Sequence, residues 1–308
     1  MSVRIVVIGS VNTDMVVRGP HIPSPGETVT GGTFLQADGG KGANQAVAAA
    51  RAGAEVTFVA RVGADDLGRS AVDGLAAEGI DVGLVARDPD HATGVALIMV
   101  DEAGENAISV APGANAHLSV NDVEAARAAI ESADVLLTQL ETPVPAVERA
   151  AEIASAAGVT VMLDPAPARP LPDSLLAMVD VLTPNEGEAA CLSGVDRPAE
   201  AAGKLRNLGV STVVVTLGGA GALIVAENLE TPVAGFPVAA VDTTAAGDAF
   251  SGYLAVSIAQ GLALVHAARR ACAAGALAAT MAGARPALPS HDSVDHLLGS
   301  EHRRKGST

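Results

Sequence analysis

The chain is 308 residues long and 49% apolar, and it carries a formal charge of −16 from 35 acidic against 19 basic side chains. That balance repels phosphate backbones, and four Phe and one Tyr with no Trp leave little for base stacking, so a nucleic-acid partner is not expected. No apolar run of about 18 residues is present, so no membrane span is expected either.

In chain order, short β-branched runs alternate with Ala-rich helical stretches. The strands are predicted at 3–8, 56–60, 134–138, 159–163, 180–183, 212–216 and 221–226. The helices are predicted at 42–53, 65–78, 121–131, 143–156, 186–192 and 197–208. This order points to an α/β fold, a doubly wound, mostly parallel sheet flanked by helices. Residues 247–260 and 264–282 read as two long helices joined near Gly261 with no strand between them. Two Thr/Val-rich stretches, 11–36 and 93–110, break the alternation and read as a small antiparallel sheet, with a hairpin turn at Asp101–Gly104. A small sheet beside such a body commonly forms a lid over a cleft. Residues 1–308 are expected to form one domain. The charged tail 301–306 is expected to fray. Cys191 and Cys272 are expected to be buried thiols of a reduced, cytoplasmic protein; they show no disulfide or zinc spacing, and Met1–Arg4 shows no signal-peptide layout.

The richest segment is Asp242-Thr243-Thr244-Ala245-Ala246-Gly247-Asp248, read as leading from a strand through small residues into a helix. Small residues let backbone N–H groups converge at a helix start, which suits a transferring phosphoryl group. Asp248 falls in the first helical turn, where helix capping is the competing explanation. Asp38-Gly39-Gly40-Lys41-Gly42-Ala43-Asn44-Gln45 opens another helix and lacks the spacing of a P-loop. Asn12 and Asp14 follow the first strand, Glu141 follows 134–138, and Asn185 with Glu188 follows 180–183. All of these lie at carboxyl ends of strands, where open sheets hold ligands. The loop from Thr216 through Gly218 to Gly221 is small enough for a nucleotide to lie on its backbone, or is a plain hairpin turn.

Together these segments resemble the ribokinase-like (PfkB) carbohydrate kinases along the whole chain. The C-terminal string 242–248 and the string Gly39–Ala46 carry the likeness, supported by Pro25-Gly26-Glu27-Thr28, Thr93–Ala96 and Pro112–Asn115. The resemblance implies ATP-dependent phosphorylation of a sugar's primary hydroxyl, with ribose expected. Deoxyribose, a hexose or a nucleoside is the alternative acceptor, and a sugar-binding regulator without catalysis is a remoter one. It assigns the sugar to Asn12, Asp14, Gly40, Lys41, Asn44, Glu141 and Asp248, and makes Asp248 the base. It gives ATP to Asn185, Thr216, Gly218, Gly221, Gly247 and Asp248, with an anion hole at Ala245, Ala246 and Gly247. It implies Mg²⁺ positioned through water by Glu188, and an activating K⁺ held by Asp242, Thr244, Ala278, Met281 and Gly283. Ala287 stands where the family pattern has a hydroxyl ligand for that K⁺, and Cys272 where a polar residue lies near the adenine. The lid is also expected to pair two subunits as a homodimer.

Overall fold

The computed structural model describes residues 2–305. Strand β1 (Arg4–Ile8) leads into β2 (Asn12–Arg18) and β3 (Thr33–Gly39), and the chain returns through helix α1 (Lys41–Arg51), β4 (Glu55–Gly63), α2 (Asp66–Ala77) and β5 (Asp81–Asp88). A second excursion makes β6 (Gly94–Val100) and β7 (Asn106–Ala111), followed by the short helices α3 (Val120–Ala125) and α4 (Arg127–Glu131). The alternation resumes with β8 (Val135–Thr138), α5 (Val144–Ala156), β9 (Thr160–Leu163), α6 (Asp173–Leu176), β10 (Val181–Leu182), α7 (Glu186–Ser193), α8 (Pro198–Asn207) and β11 (Thr212–Thr216). The hairpin strands β12 (Gly221–Ala226) and β13 (Leu229–Ala234) precede α9 (Ala246–Ala259), α10 (Leu264–Ala278) and α11 (His291–Lys305).

The nine-stranded sheet runs β13-β12-β11-β10-β9-β8-β1-β4-β5, parallel from β11 to β5 and antiparallel at β12 and β13. β1 shows why it is double-faced: Ile5 and Val7 enter one core and Val6 and Ile8 the other, the period-two split of a central strand buried on both sides. The smaller sheet runs β3-β2-β6-β7, with antiparallel outer pairs and a parallel central pair β2–β6. The Asp101–Gly104 turn closes β6 onto β7, Gly104 N donating to the Asp101 carbonyl at 3.1 Å.

Several expectations need correction. The helix at 121–131 is interrupted at Ala126, after a Ser119–Asp122 capping box starts its first half. No strand precedes Asp242, since residues 235–245 are irregular. Edge strands β5 and β13 and helix α11 were not anticipated. Residues 301–305, expected to fray, continue α11, and Gly306 lies outside the described residues. Cys191 is exposed, and only Cys272 is buried. Among the described residues no helix is long and apolar enough to cross a membrane.

Helices α1 and α9 pack on one face of the sheet unusually closely. A methyl at Gly252 would lie 2.6 Å from Ala48 Cβ and 2.9 Å from both Ala49 N and Gln45 O. Real Cβ atoms do not tolerate such contacts against backbone, so only glycine permits this approach. Gly252→Ala is therefore expected to cost about 1–3 kcal/mol through overpacking, measured by chemical denaturation. The control Gly203→Ala in α8, whose added methyl meets nothing within 4 Å, should be neutral or slightly stabilising.

Candidate active site

The approach of α1 to α9 places two amides on one carboxylate. Asp248 is buried, and its oxygens accept from Asn44 Nδ2 at 2.9 Å and Gln45 Nε2 at 3.1 Å. It caps nothing: the residue before α9 is Ala245, and no side chain caps that helix. Gln45 Nε2 also donates to Asp164 Oδ2 at 2.7 Å, while its carbonyl accepts from Gln139 Nε2 at 2.6 Å. One amide thus clamps two buried carboxylates and is itself oriented by a second amide.

Asp248 opens into a cavity of about 210 Å³ that it shares with Lys41, Asp164, Asn185, Glu188 and Thr216. Burial pushes the Asp248 carboxyl above its usual range, against Lys41 and the two amides, and Glu141 adds to the rise. Asp164 is driven from 3.8 to about 8, first by burial and then, against the pull of Lys41, by Asp248 and Glu188. For Lys41, burial favours the neutral amine, but Asp248, Asp164, Glu141 and Glu188 outweigh it and hold the ammonium charged. A cluster of perturbed groups in a cleft is the pattern expected of a functional site.

On the lid side, Gly40 stands at φ 91° with its α-carbon pressed on the first turn. A side chain there would meet Asn12 N at 2.7 Å and Ser10 O at 2.9 Å. Glu141 Oε2 accepts from Ser10 Oγ at 2.5 Å and from Lys41 N at 3.1 Å. Asn12 Oδ1 accepts from Asn115 Nδ2 at 2.8 Å. Asp14 lies over Gly39, and its carboxyl is raised to about 6 by burial, then by Glu141, with Arg285 opposing and Asp248 and Asp38 contributing. The Asp248 charge is thus felt at Asp14.

A second cavity, of about 460 Å³, shares Thr216, Thr243 and Gly247 with the first. Gly218, Gly221, Phe236, Ala246 and Cys272 are among its walls. The expected ATP residues Thr216, Gly218, Gly221 and Gly247 therefore meet in one chamber, whereas Asn185 lies in the polar one. Asn185 and Glu188 spend part of their polarity on each other: Asn185 Oδ1 accepts from Glu188 N, and Glu188 Oε2 from Asn185 N, both at 2.8 Å. That pair is a capping box for α7 as well as a wall of the cavity. Of the expected anion-hole residues, Ala245 takes the left-handed conformation at φ 60°, and Ala246 N already donates to Thr243 O at 3.2 Å. Gly247 and Asp248 follow at the positively polarised start of α9.

The expected K⁺ residues converge only in part. Asp242 Oδ2 accepts from Gly283 N at 2.9 Å, and its Oδ1 accepts from the Thr244 amide and hydroxyl at 2.9 and 2.6 Å. Ala278 is buried, its carbonyl meeting Met281 N at 3.4 Å, and Ala287 is a buried methyl. For Mg²⁺ the oxygen chemistry fits better, since Asp164, Glu188 and Asp248 line one cavity. Among the described residues no three His, Cys, Asp or Glu side chains converge to chelate a metal directly. An ion there would keep waters and lean on nucleotide phosphates, as Mg²⁺ commonly does.

Sequence reasoning missed Asp164, Gln45 and Gln139. The signal for Asp164 was available, because Asp164-Pro165 follows a strand as Glu141 and Asn185 do.

The model of the pfkB family of carbohydrate kinases matches residues 3–291. The chain belongs to that family. It is a phosphotransferase with an alcohol acceptor. It is 43% identical to the ribokinase of Haemophilus influenzae over 97% of this chain and 99% of that one. Among solved structures it resembles ribokinase from Thermotoga maritima (TM-score 0.88, 36% identity, 97% of this chain, 100% of that one). It also resembles Arabidopsis thaliana ribokinase complexed with ribose and ATP (TM-score 0.89, 33% identity, 97% and 99%).

The raised Asp164 carboxyl has a thermodynamic consequence. A group whose folded pKa exceeds its unfolded value favours folding below the unfolded value, and that contribution is lost as pH rises through the folded one. Stability from Asp164 should thus be complete below 3.8 and lost as pH passes about 8. Replacing Asp164 by Asn keeps the acceptor for Gln45 and removes the titration. The difference in denaturation midpoint between about pH 5 and about pH 9 should then shrink; an unchanged difference contradicts this.

Proposed function

We propose that this chain transfers the γ-phosphoryl group of ATP to the primary hydroxyl of D-ribose. The observation that carries the reading is a buried carboxylate, Asp248, aimed by Asn44 and Gln45 into a polar cavity continuous with an apolar chamber. Full-length relatives named ribokinase support the acceptor; relatives named deoxyribokinase stand at 35% identity. The whole chain would work as one catalytic unit with its lid, in the cytoplasm.

In this reading Asn12, Asp14, Gly40, Lys41, Asn44 and Glu141 grip the sugar. Buried polar groups that need a partner discriminate against an acceptor lacking hydroxyls. Asp248 takes the proton of the attacking hydroxyl, and its raised pKa brings it closer to working pH, which suits a general base. Thr216, Gly218 and Gly221 line the nucleotide chamber, and Asn185 and Glu188 sit by the phosphates. The start of α9, with Ala245, Ala246 and Gly247, faces the charge that builds on the transferring group. Mg²⁺, when bound, would neutralise phosphate oxygens beside Glu188. A potassium activator would meet Asp242 and nearby carbonyls with one protein ligand fewer, because Ala287 supplies no hydroxyl.

The lid also fits a second copy of the chain. Register puts Phe34, Val17 and Met99 on one face and Leu35, Ile98 and Ile108 on the other. Phe34 is 63% and Ile108 57% exposed, so both faces are apolar and open in the monomer. A homodimer through the lid would cover them. Phe34→Glu is expected to shift the protein from dimer to monomer in light scattering; a monomeric parent protein contradicts the assembly.

The reaction is tested by ADP release with ribose, deoxyribose, fructose and adenosine, with and without potassium. Ribose should give the highest kcat/KM. Asp248→Asn should lose about 10²–10⁴ in kcat while folding normally; turnover like the parent's removes the base from the mechanism.

A further inference from the structure

Behind the sugar side lies a buried guanidinium that neither cavity contains. Arg285 begins a short 3₁₀ turn, Arg285–Ala287, and is only 6% exposed. Its Nη1 pairs with Asp38 Oδ2 at 3.1 Å, and its Nη2 points at the Gly39 carbonyl at 3.5 Å. Its Nε is buried without a hydrogen-bond partner. A buried charge so sparsely paired is costly, so what it holds in place is the question.

The two loops that Arg285 joins lead to the two substrates. Asp38 and Gly39 end β3 immediately before Gly40 and Lys41, and Gly39 packs on the Asp14 carboxylate. On the other side, Gly283 N holds Asp242, and Asp242 holds Thr244, next to the residues that open α9. The turn is fixed from behind: Arg51, at the end of α1, donates to the carbonyls of Arg285 at 3.1 Å and Leu288 at 2.6 Å, and pairs with Glu78. The backbone of 285–288 is thereby anchored to the body, and the guanidinium is what reaches forward to the lid strand.

We propose that Arg285 is a positioning residue that sets the end of β3 against the 283–287 loop, coupling occupancy of the sugar side to the nucleotide side. The inference rests on the sugar-kinase reading above. Closing the lid on a sugar moves or stiffens Asp38–Gly40; through Arg285 that change reaches the loop holding Asp242 and so the phosphate end of the nucleotide site. Coupling of this kind is reciprocal: sugar must tighten nucleotide binding by the factor by which nucleotide tightens sugar binding.

The test is calorimetric titration of ADP into the full-length protein with and without saturating D-ribose, alongside steady-state kinetics. The parent should bind ADP about fivefold or more tightly with ribose present. Arg285→Met should bring that factor near one and raise KM for ribose more than it lowers kcat; Arg285→Lys should restore part of the factor. Asp38→Asn, whose side chain is 40% exposed, supplies a second variant whose reading does not depend on Arg285→Met folding. It removes the same ion pair from its solvent end and should lose coupling with its ADP affinity in the absence of sugar unchanged. Coupling equal to the parent's in either folded variant, or none in the parent, overturns the role of Arg285. A parent that phosphorylates no sugar overturns the kinase reading, and this inference with it.

Discussion

Everything at the site depends on how closely α1 approaches α9. Asn44 and Gln45 lie on the first, Asp248 on the second, and all three are buried where the helices touch at Gly252. The Asp248 carboxylate is therefore not carried on a loop that must find its place. Its two oxygens are aimed by amides from a neighbouring helix, whose register is fixed by Ala48 and Ala49 lying against a glycine. Preorganisation of this sort lets a group act without rearrangement at the moment of reaction.

The same packing creates an electrostatic problem. Asp164, Asp248, Glu141 and Glu188 all raise one another or raise Lys41, and that one ammonium stands among them. The conflict shows at Asp164, whose carboxyl burial, Asp248 and Glu188 push from 3.8 to about 8, while Gln45 donates to both it and Asp248. An arriving Mg²⁺–nucleotide would shift that balance, because a divalent cation beside Glu188 offsets the excess negative charge. The cavity is thus suited to a substrate that brings its own metal.

What the sequence disclosed and what it hid follow from how each element is stabilised. Central strands such as β1 and β11 are apolar on both faces and stand out in the chain. Edge strands β5 and β13 are half exposed, and β13 carries Pro232, so their residues resemble loops until a neighbour pairs with them. The expected strand before Asp242 failed in the opposite sense: 238–241 is rich in Val and Ala, but it pairs with no strand of either sheet. In the site, Asp248 was legible because a glycine and small residues precede it. Gln45 was not, since a glutamine inside a helix has the same local character whether it meets solvent or two carboxylates. Asn185 and Glu188 show a further ambiguity, because one spacing serves a capping box and a cavity wall at once.

The two chambers divide recognition unequally. The larger is walled by glycines, Phe236, Val238, Cys272 and Ala276, so it holds its guest mainly by shape and apolar contact. Such walls distinguish poorly between isosteres, whereas a site built from buried polar groups penalises a wrong guest heavily. On the proposed reading, selectivity for the acceptor rests on Asn12–Asp14 and Gly39–Asn44, the two ends of the β2–β3 excursion. On that reading β2 and β3 hold the sugar at both of their roots and cannot shift without disturbing it. The apolar faces of the small sheet, the Arg285–Asp38 pair at its base and Gly39 and Gly40 beneath it all bear on the position of β2 and β3.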